Sequence, residues 1–239
     1  IQDASSLIEY YESLGDSLEM AHWFKERAKL SKRESAISDL LQAIQLNDHD
    51  GESYDLLSRL DDDLLSAFKL STCSILATPS NPSFLLRRSQ LFLKLKQRSI
   101  SPHLSSPTSS MVSLVEYTCD DALFDVSSAI SLIESHDYRL DLPLFRFYAH
   151  RALLYREGPR DFVRAALDLN HAISIAPSPV PASLYFDLYL IYFMKESNNK
   201  ALSAISTAIS LSPLPLYFKY RAGLLIKMGR SKDASSDIK

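Results

Sequence analysis

Glycine, cysteine and tryptophan are scarce in this sequence: its 239 residues include five Gly, two Cys and one Trp. Few glycines, together with eleven prolines that fall between the apolar segments, are typical of a helical protein and disfavour a β-rich fold. Cys73 and Cys119 are too few for a disulfide framework, and neither lies in a metal-binding spacing. We therefore expect two free thiols.

The sequence also lacks an excess of basic residues and a long apolar run. A formal net charge of -3, with both signs mixed along the chain, disfavours binding to nucleic acid or to an anionic membrane. The longest apolar segment runs from Leu184 to Met194 and is interrupted by Asp187, whereas a membrane-spanning helix needs about 20 apolar residues. We expect neither a nucleic-acid partner nor a membrane span.

One pattern recurs five times and begins a sixth time. Each copy starts with an alanine, and each full copy has a second small residue seven positions later, followed by isoleucine. The leading alanines are Ala36, Ala67, Ala122, Ala165, Ala201 and Ala234. Seven residues is close to two helical turns, so the small residues share one helix face, where a neighbouring helix can approach closely.

A second apolar helix, usually rich in aromatic residues, precedes most copies. Such segments begin near Leu85, Phe147, Leu184 and Leu216. Each pair of segments predicts a helical hairpin, and because one hairpin cannot hide its own apolar face, neighbouring hairpins must stack. We expect an all-α fold, a right-handed α-solenoid of about six stacked helix-turn-helix repeats with a concave inner surface.

The stretch from Tyr220 through Gly229 to Ala234 resembles the tetratricopeptide repeat family in the order and spacing of its aromatic, small and turn residues. The stretch from Arg151 to Ala165 resembles it less regularly. This resemblance implies a module that binds other proteins and does not catalyse a reaction. The leading alanines are, however, spaced unevenly against a family period of about 34 residues, which indicates insertions.

We assign residues 19–239 to the repeat array and residues 1–18 to an N-terminal helix, which is a candidate for the second half of a preceding repeat. A Ser/Pro-rich insertion occupies residues 97–118, and the last repeat is truncated. Ser101 and Ser106 each precede a proline and are possible phosphorylation sites, although a plain surface loop is the simpler interpretation. The first residues do not resemble a signal peptide, which favours a cytoplasmic piece of a longer protein.

No arrangement of catalytic or metal-binding residues is recognisable, so we predict no enzyme activity, no metal and no cofactor. The alternating acids of segment 48–52 fit a calcium loop poorly and indicate a turn. The three acids of segment 61–63 are best explained as a helix cap. Lys25 and Lys29 partly match the clamp with which some tetratricopeptide domains grip acidic chaperone tails, but the accompanying asparagines are absent.

Helical phase predicts which side chains line the inner groove and contact a partner. These are Arg87, Phe147, His150, Asp187, Lys219 and Tyr220. We expect them to bind an extended segment or amphipathic helix of a partner protein. The predicted role is a scaffold or adaptor in complex assembly, in a cytoplasmic, cytoskeletal or ciliary setting. A co-chaperone-type adaptor, an auxiliary subunit of an enzyme and an RNA-binding helical repeat are the alternatives.

Overall fold

The computed structural model describes residues 2–100, 117–135 and 143–237, and within these ranges the secondary structure is helical, with no strand. The predicted all-α class is therefore confirmed. The chain divides into two units, residues 1–113 and residues 114–239.

The described residues of the first unit, 2–100, form six helices. They are α1 (Gln2–Leu14), α2 (Ser17–Leu30), α3 (Arg33–Leu46), α4 (Gly51–Leu60), α5 (Leu64–Ala77) and α6 (Pro82–Ile100). Because α6 continues to Ile100, the first four residues of the predicted insertion are helical. The rest of that insertion up to residue 116, including Ser101 and Ser106, lies outside the described residues.

The second unit contains the remaining helices of the described chain. They are α7 (Cys119–Ser135), α8 (Phe145–Glu157), α9 (Phe162–Ile175), α10 (Ala182–Met194), α11 (Asn198–Leu211), α12 (Pro215–Lys227) and α13 (Ser231–Ala234). Helices α2 and α3, α4 and α5, α8 and α9, and α10 and α11 pack as hairpins, and each hairpin contacts the next helix of its unit.

Small residues lie where these helices approach each other, as the repeat predicts. All six leading alanines are at most 3% exposed. The second small residue is fully buried in every full copy: Ala43, Ser74, Ala129, Ala172 and Ala208. The buried Ser74 hydroxyl donates a hydrogen bond to the Ser71 carbonyl at 2.7 Å. The alanine pattern therefore marks the packing face of the repeated hairpin.

Acidic residues start several helices, which confirms the cap interpretation of segment 61–63, whereas the turn predicted over segment 48–52 gives way to helix at Gly51. The Asp50 carboxylate accepts a hydrogen bond from the Glu52 amide at 3.1 Å at the start of α4. The Asp63 carboxylate accepts from the Ser66 amide at 2.9 Å at the start of α5. Both side chains satisfy amides that the first helical turn leaves without partners.

The turns inside the hairpins of the second unit share a left-handed residue five positions before the leading alanine. Gly229 has φ +75° there, and Arg160 and Glu196 adopt φ 55° and 56° at the equivalent positions. Glycine adopts this conformation without steric cost, whereas other residues do so only where their surroundings impose it. The turn geometry is thus repeated although the glycine is not.

Candidate partner-binding face

Three of the predicted contact residues lie on successive first helices of the second unit. Asp187 lies on α10 and is half-buried, whereas Lys219 and Tyr220 on α12 are exposed, Tyr220 by 40%. We call the surface formed by these three residues the partner face. It combines one carboxylate, one ammonium group and one exposed ring.

The carboxylate of the partner face is only loosely paired. Nη1 of Arg156 on α8 lies 3.7 Å from Oδ1 of Asp187, while Nε of Arg156 donates to Glu157 at 2.9 Å. Burial raises the pKa of Asp187 above its ordinary value, although the nearby Arg156 opposes the shift. A buried carboxylate with one distant cation is a group that a further donor would stabilise.

Aromatic rings join α10 to α12 beneath the partner face. The Phe186 ring stacks on Tyr217 at a centroid distance of 4.9 Å and meets Tyr220 edge-on at 5.2 Å. Tyr189 lies 5.9 Å from Tyr220 and is almost fully buried. Tyr220 is therefore a partly exposed ring packed against the partly buried Phe186 and the buried Tyr189, which is the form of an aromatic anchor.

Phe147 and His150 are placed differently from the prediction. Phe147 has no exposed surface and His150 is 8% exposed, so both lie in the packing of α8. Neither side chain can reach a partner without repacking, and we leave both out of the partner face. Helical phase does not tell whether a neighbouring helix covers a side chain.

Arg87 belongs to the first unit, where it closes a contact between α6 and α4. Its guanidinium donates to the Ser58 carbonyl at 3.1 Å. Burial lowers the pKa of Arg87, against the attraction of Asp55. Asp55 is itself buried and paired with Arg59 at 2.7 Å. Arg87 is thus half-buried among polar groups of its own unit, and its predicted role as a partner contact stays a prediction.

Comparison with known proteins finds no matching protein-family model and no matching curated protein. Solved structures do match. YrrB, described as a TPR protein with an unusual peptide-binding site, superposes with a TM-score of 0.65 and 15% identity over 90% of this chain and 94% of YrrB. A tetratricopeptide repeat protein from Parabacteroides merdae gives 0.61 and 17% identity over 95% of this chain and 78% of that protein. MamA from Desulfovibrio magneticus gives 0.60 and 14% identity, covering 79% and 91%.

The chain has the tetratricopeptide-repeat fold. Proteins of this fold generally mediate protein–protein interaction. At 14 to 17% sequence identity, these matches show the fold of this chain and nothing more.

Within this tetratricopeptide-repeat fold, the two lysines that partly match a chaperone-tail clamp already have carboxylate partners. Lys25 lies 3.0 Å from Asp50 and 3.0 Å from Glu52, and Lys29 lies 2.8 Å from Glu26 and 2.8 Å from Glu52. The Lys29–Glu26 pair lies within α2, and the other pairs join α2 to the start of α4. The lysines therefore neutralise carboxylates of their own unit, which further disfavours the clamp.

A recurring contact that our sequence interpretation missed joins the first helix of three tetratricopeptide repeats to the segment that follows it. An arginine on the first helix donates two hydrogen bonds, of 2.5 to 2.9 Å, to an aspartate of the segment that follows: Arg27–Asp39, Arg151–Asp168 and Arg221–Asp237. Each arginine also lies 5.2 to 5.6 Å from an aromatic ring three residues earlier: Phe24, Tyr148 and Phe218. We call each such arginine and aspartate a clasp.

Two hairpins of the described residues, α4–α5 and α10–α11, carry neither charge of the clasp. At the equivalent positions α4 and α5 carry Leu57 and Leu70, and α10 and α11 carry Leu188 and Ala204, all within apolar clusters. A single buried charge left without its partner is costly, so the two positions change together. The signal was present in the sequence, as an aspartate three residues after the leading alanine and an Arg-Ala pair on the helix before it.

Across residues 2–100, 117–135 and 143–237, no group of three His, Cys, Asp or Glu side chains is placed to hold a metal ion. No helix in the same ranges is long and apolar enough to cross a membrane.

Proposed function

We propose that this chain is a non-catalytic protein–protein interaction module whose partner face, Asp187, Lys219 and Tyr220, binds an extended segment or an amphipathic helix of another protein. The observation that carries the proposal is the exposed Tyr220 ring held edge-on against Phe186, because rigid aromatic rings with an exposed edge are frequent anchors at protein interfaces. The peptide-binding site in the description of YrrB supports the same use of the fold.

Charge fixes the register of the bound segment. Lys219 offers an exposed ammonium group, whereas Asp187 is a half-buried carboxylate whose pKa is raised by burial, against the attraction of Arg156. A bound segment with an acidic group near Lys219 and a hydrogen-bond donor near Asp187 would pair with both side chains. In this role the chain serves as a scaffold or adaptor within a larger assembly.

Helix α1 is the second helix of a preceding hairpin in this proposal. The Ser5 hydroxyl on α1 accepts a hydrogen bond from Arg27 of a clasp at 3.0 Å. Ser127 on α7, a second helix of the repeat, meets Arg151 of another clasp in the same way at 3.4 Å. The equivalent contact supports an equivalent place for α1 in the array.

The partner face is tested by affinity purification from native lysate with quantitative mass spectrometry. We compare the unmodified chain with a double variant, Lys219→Glu with Tyr220→Ala, and expect at least one specific partner to fall by about tenfold or more. The matched control is Arg164→Glu with Leu167→Ala on α9, which also removes one exposed cation and one exposed apolar side chain. Partners retained by the first variant and lost by the control would move the binding surface to the second helices.

A further inference from the structure

An apolar cleft lies in the first unit between the end of α2, the start of α3 and the end of α4. Its volume is about 310 Å³, at the lower end of the range for ligand pockets. The apolar side chains that line it are Ala28, Ala36, Leu40, Leu56 and Leu60. The volume holds one large apolar side chain, and it is too small for a packed helix.

The rim of this cleft is basic. Lys29, Arg33 and Arg59 line it, and none of its lining residues is acidic. Their side chains keep 32%, 50% and 56% of their surface exposed. Arg33 reaches across from α3 to donate to the Leu60 carbonyl of α4 at 2.5 Å, which holds one cation over the opening.

The carboxylates that already meet these cations lie outside the cleft lining. Arg33 pairs with Asp62, which is 85% exposed, and Arg59 pairs with the buried Asp55 through one carboxylate oxygen. A ligand carboxylate can replace an exposed carboxylate such as Asp62, and it can share the exposed side of Arg59. The opening therefore favours an anion next to an apolar group, since charge-assisted hydrogen bonds to arginine add to apolar burial.

We propose that the cleft of the first unit binds an apolar side chain of a partner protein segment that carries carboxylates on both sides of that side chain. This is a second recognition site, separate from the partner face. The result of the partner-face experiment does not bear on it. The cleft selects the apolar side chain by its shape, and Arg33 and Arg59 select the flanking acids, whereas Lys29 is already paired with Glu26 and Glu52.

The test is methyl NMR on the full chain labelled at alanine, because Ala28 and Ala36 line the cleft. The probe is a blocked pentapeptide with leucine between two pairs of aspartates. Its matched controls replace the leucine by alanine or the aspartates by asparagines. We expect saturable shifts of the Ala28 and Ala36 methyl groups, with affinity at least about tenfold weaker for each control peptide.

Two variants separate the apolar and ionic contributions. Leu56→Trp fills the cleft and Arg33→Glu reverses the rim charge, and each is expected to weaken binding of the leucine peptide at least about fivefold. Arg230→Glu in the second unit, whose arginine is 49% exposed, is the control and leaves binding unchanged. An unchanged methyl spectrum away from the cleft shows that each variant remains folded.

Three results would overturn the proposal. One is no saturable shift at Ala28 and Ala36 with peptide at about 1 mM. Another is equal binding of the leucine and alanine peptides. The third is saturation by sodium octanoate at lower concentration than by the peptide, which would make the occupant an acyl chain.

Discussion

The two units use the same hairpin but join their first helices through different chemistry. In the first unit, Lys25 and Lys29 of α2 form ion pairs with Asp50, which caps α4, and with Glu52 of α4. In the second unit, α10 meets α12 through stacked and edge-on rings. The same backbone geometry therefore allows different side-chain contacts between neighbouring first helices. The Lys25 and Lys29 pairs leave neither lysine available for a partner, whereas the aromatic cluster leaves one exposed ring.

The clasps are the feature that both units share, and breaking one gives the largest expected effect. Asp168→Ala leaves the Arg151 guanidinium, whose side chain is 19% exposed, without its carboxylate. We expect the α8–α9 hairpin to lose about 3 kcal/mol of stability. Native-state hydrogen exchange of α8 and α9 amides measures this locally, as a repeat array need not unfold in one step.

The double variant Arg151→Leu with Asp168→Ala supplies the matched control for the clasp. It reproduces the Leu188 and Ala204 pair of the neighbouring hairpin and is expected to cost less than about 1 kcal/mol. Arg27→Leu with Asp39→Leu, which copies the Leu57 and Leu70 pair, should behave alike in the first unit. A double variant as unstable as the single one would mean that the clasp is not interchangeable with an apolar pair.

Gly51 in the first unit and Gly223 in the second differ in how closely other atoms approach them. A Cβ at Gly51 of α4 would lie 2.6 Å from the Ser74 carbonyl oxygen and 2.8 Å from the Phe84 ring, whereas a Cβ at Gly223 of α12 meets nothing within 4 Å. We expect Gly51→Ala to destabilise the first unit by about 2 kcal/mol. Gly223→Ala should stabilise α12 by about 0.5 to 1 kcal/mol. Urea denaturation followed by circular dichroism measures both, and equal effects would contradict the packing described.

Acid should weaken the first unit through its lysine pairs. Burial alone would raise the pKa of Asp50 and of Glu52, but hydrogen bonds from Lys25 and Lys29 and nearby groups hold both pKa values below the ordinary 3.8 and 4.5. A carboxylate with a lowered folded-state pKa stabilises above its ordinary pKa, and that stability is lost as the pH falls through the folded value. The loss should therefore begin near pH 4.5 and continue below 3.8.

Lys25→Met is the control for the acid effect. Hydrogen exchange of α4 amides between pH 6 and pH 3, corrected for the intrinsic exchange rate, should show a smaller acid-induced loss in this variant than in the unmodified chain. This is the smallest of the expected differences, because Glu52 is 46% exposed and partly screened by water. An identical loss in both proteins would show that the ion pairs do not distinguish the first unit.

Helix positions followed from the sequence because the alanines that recur at helical spacing must be buried for hairpins to stack, and all six are. The burial of Phe147 and His150 could not be predicted from the sequence. Helical phase places a side chain on a face of its helix but does not show which face the next helix covers. The clasps could have been predicted, because Asp39, Asp168 and Asp237 each lie three residues after a leading alanine. The cleft near Arg33 depends on the approach of three helices, which no local pattern encodes.

The claim that the second unit recruits a partner through Tyr220 is tested most directly by site-specific photo-crosslinking. A benzophenone amino acid replaces Tyr220 on the partner face in one protein and the exposed Leu167 of α9 in another. Irradiation in native lysate should join the first protein, but not the second, to a discrete partner. Crosslinks from position 167 alone, or the same partners from both positions, would contradict the account.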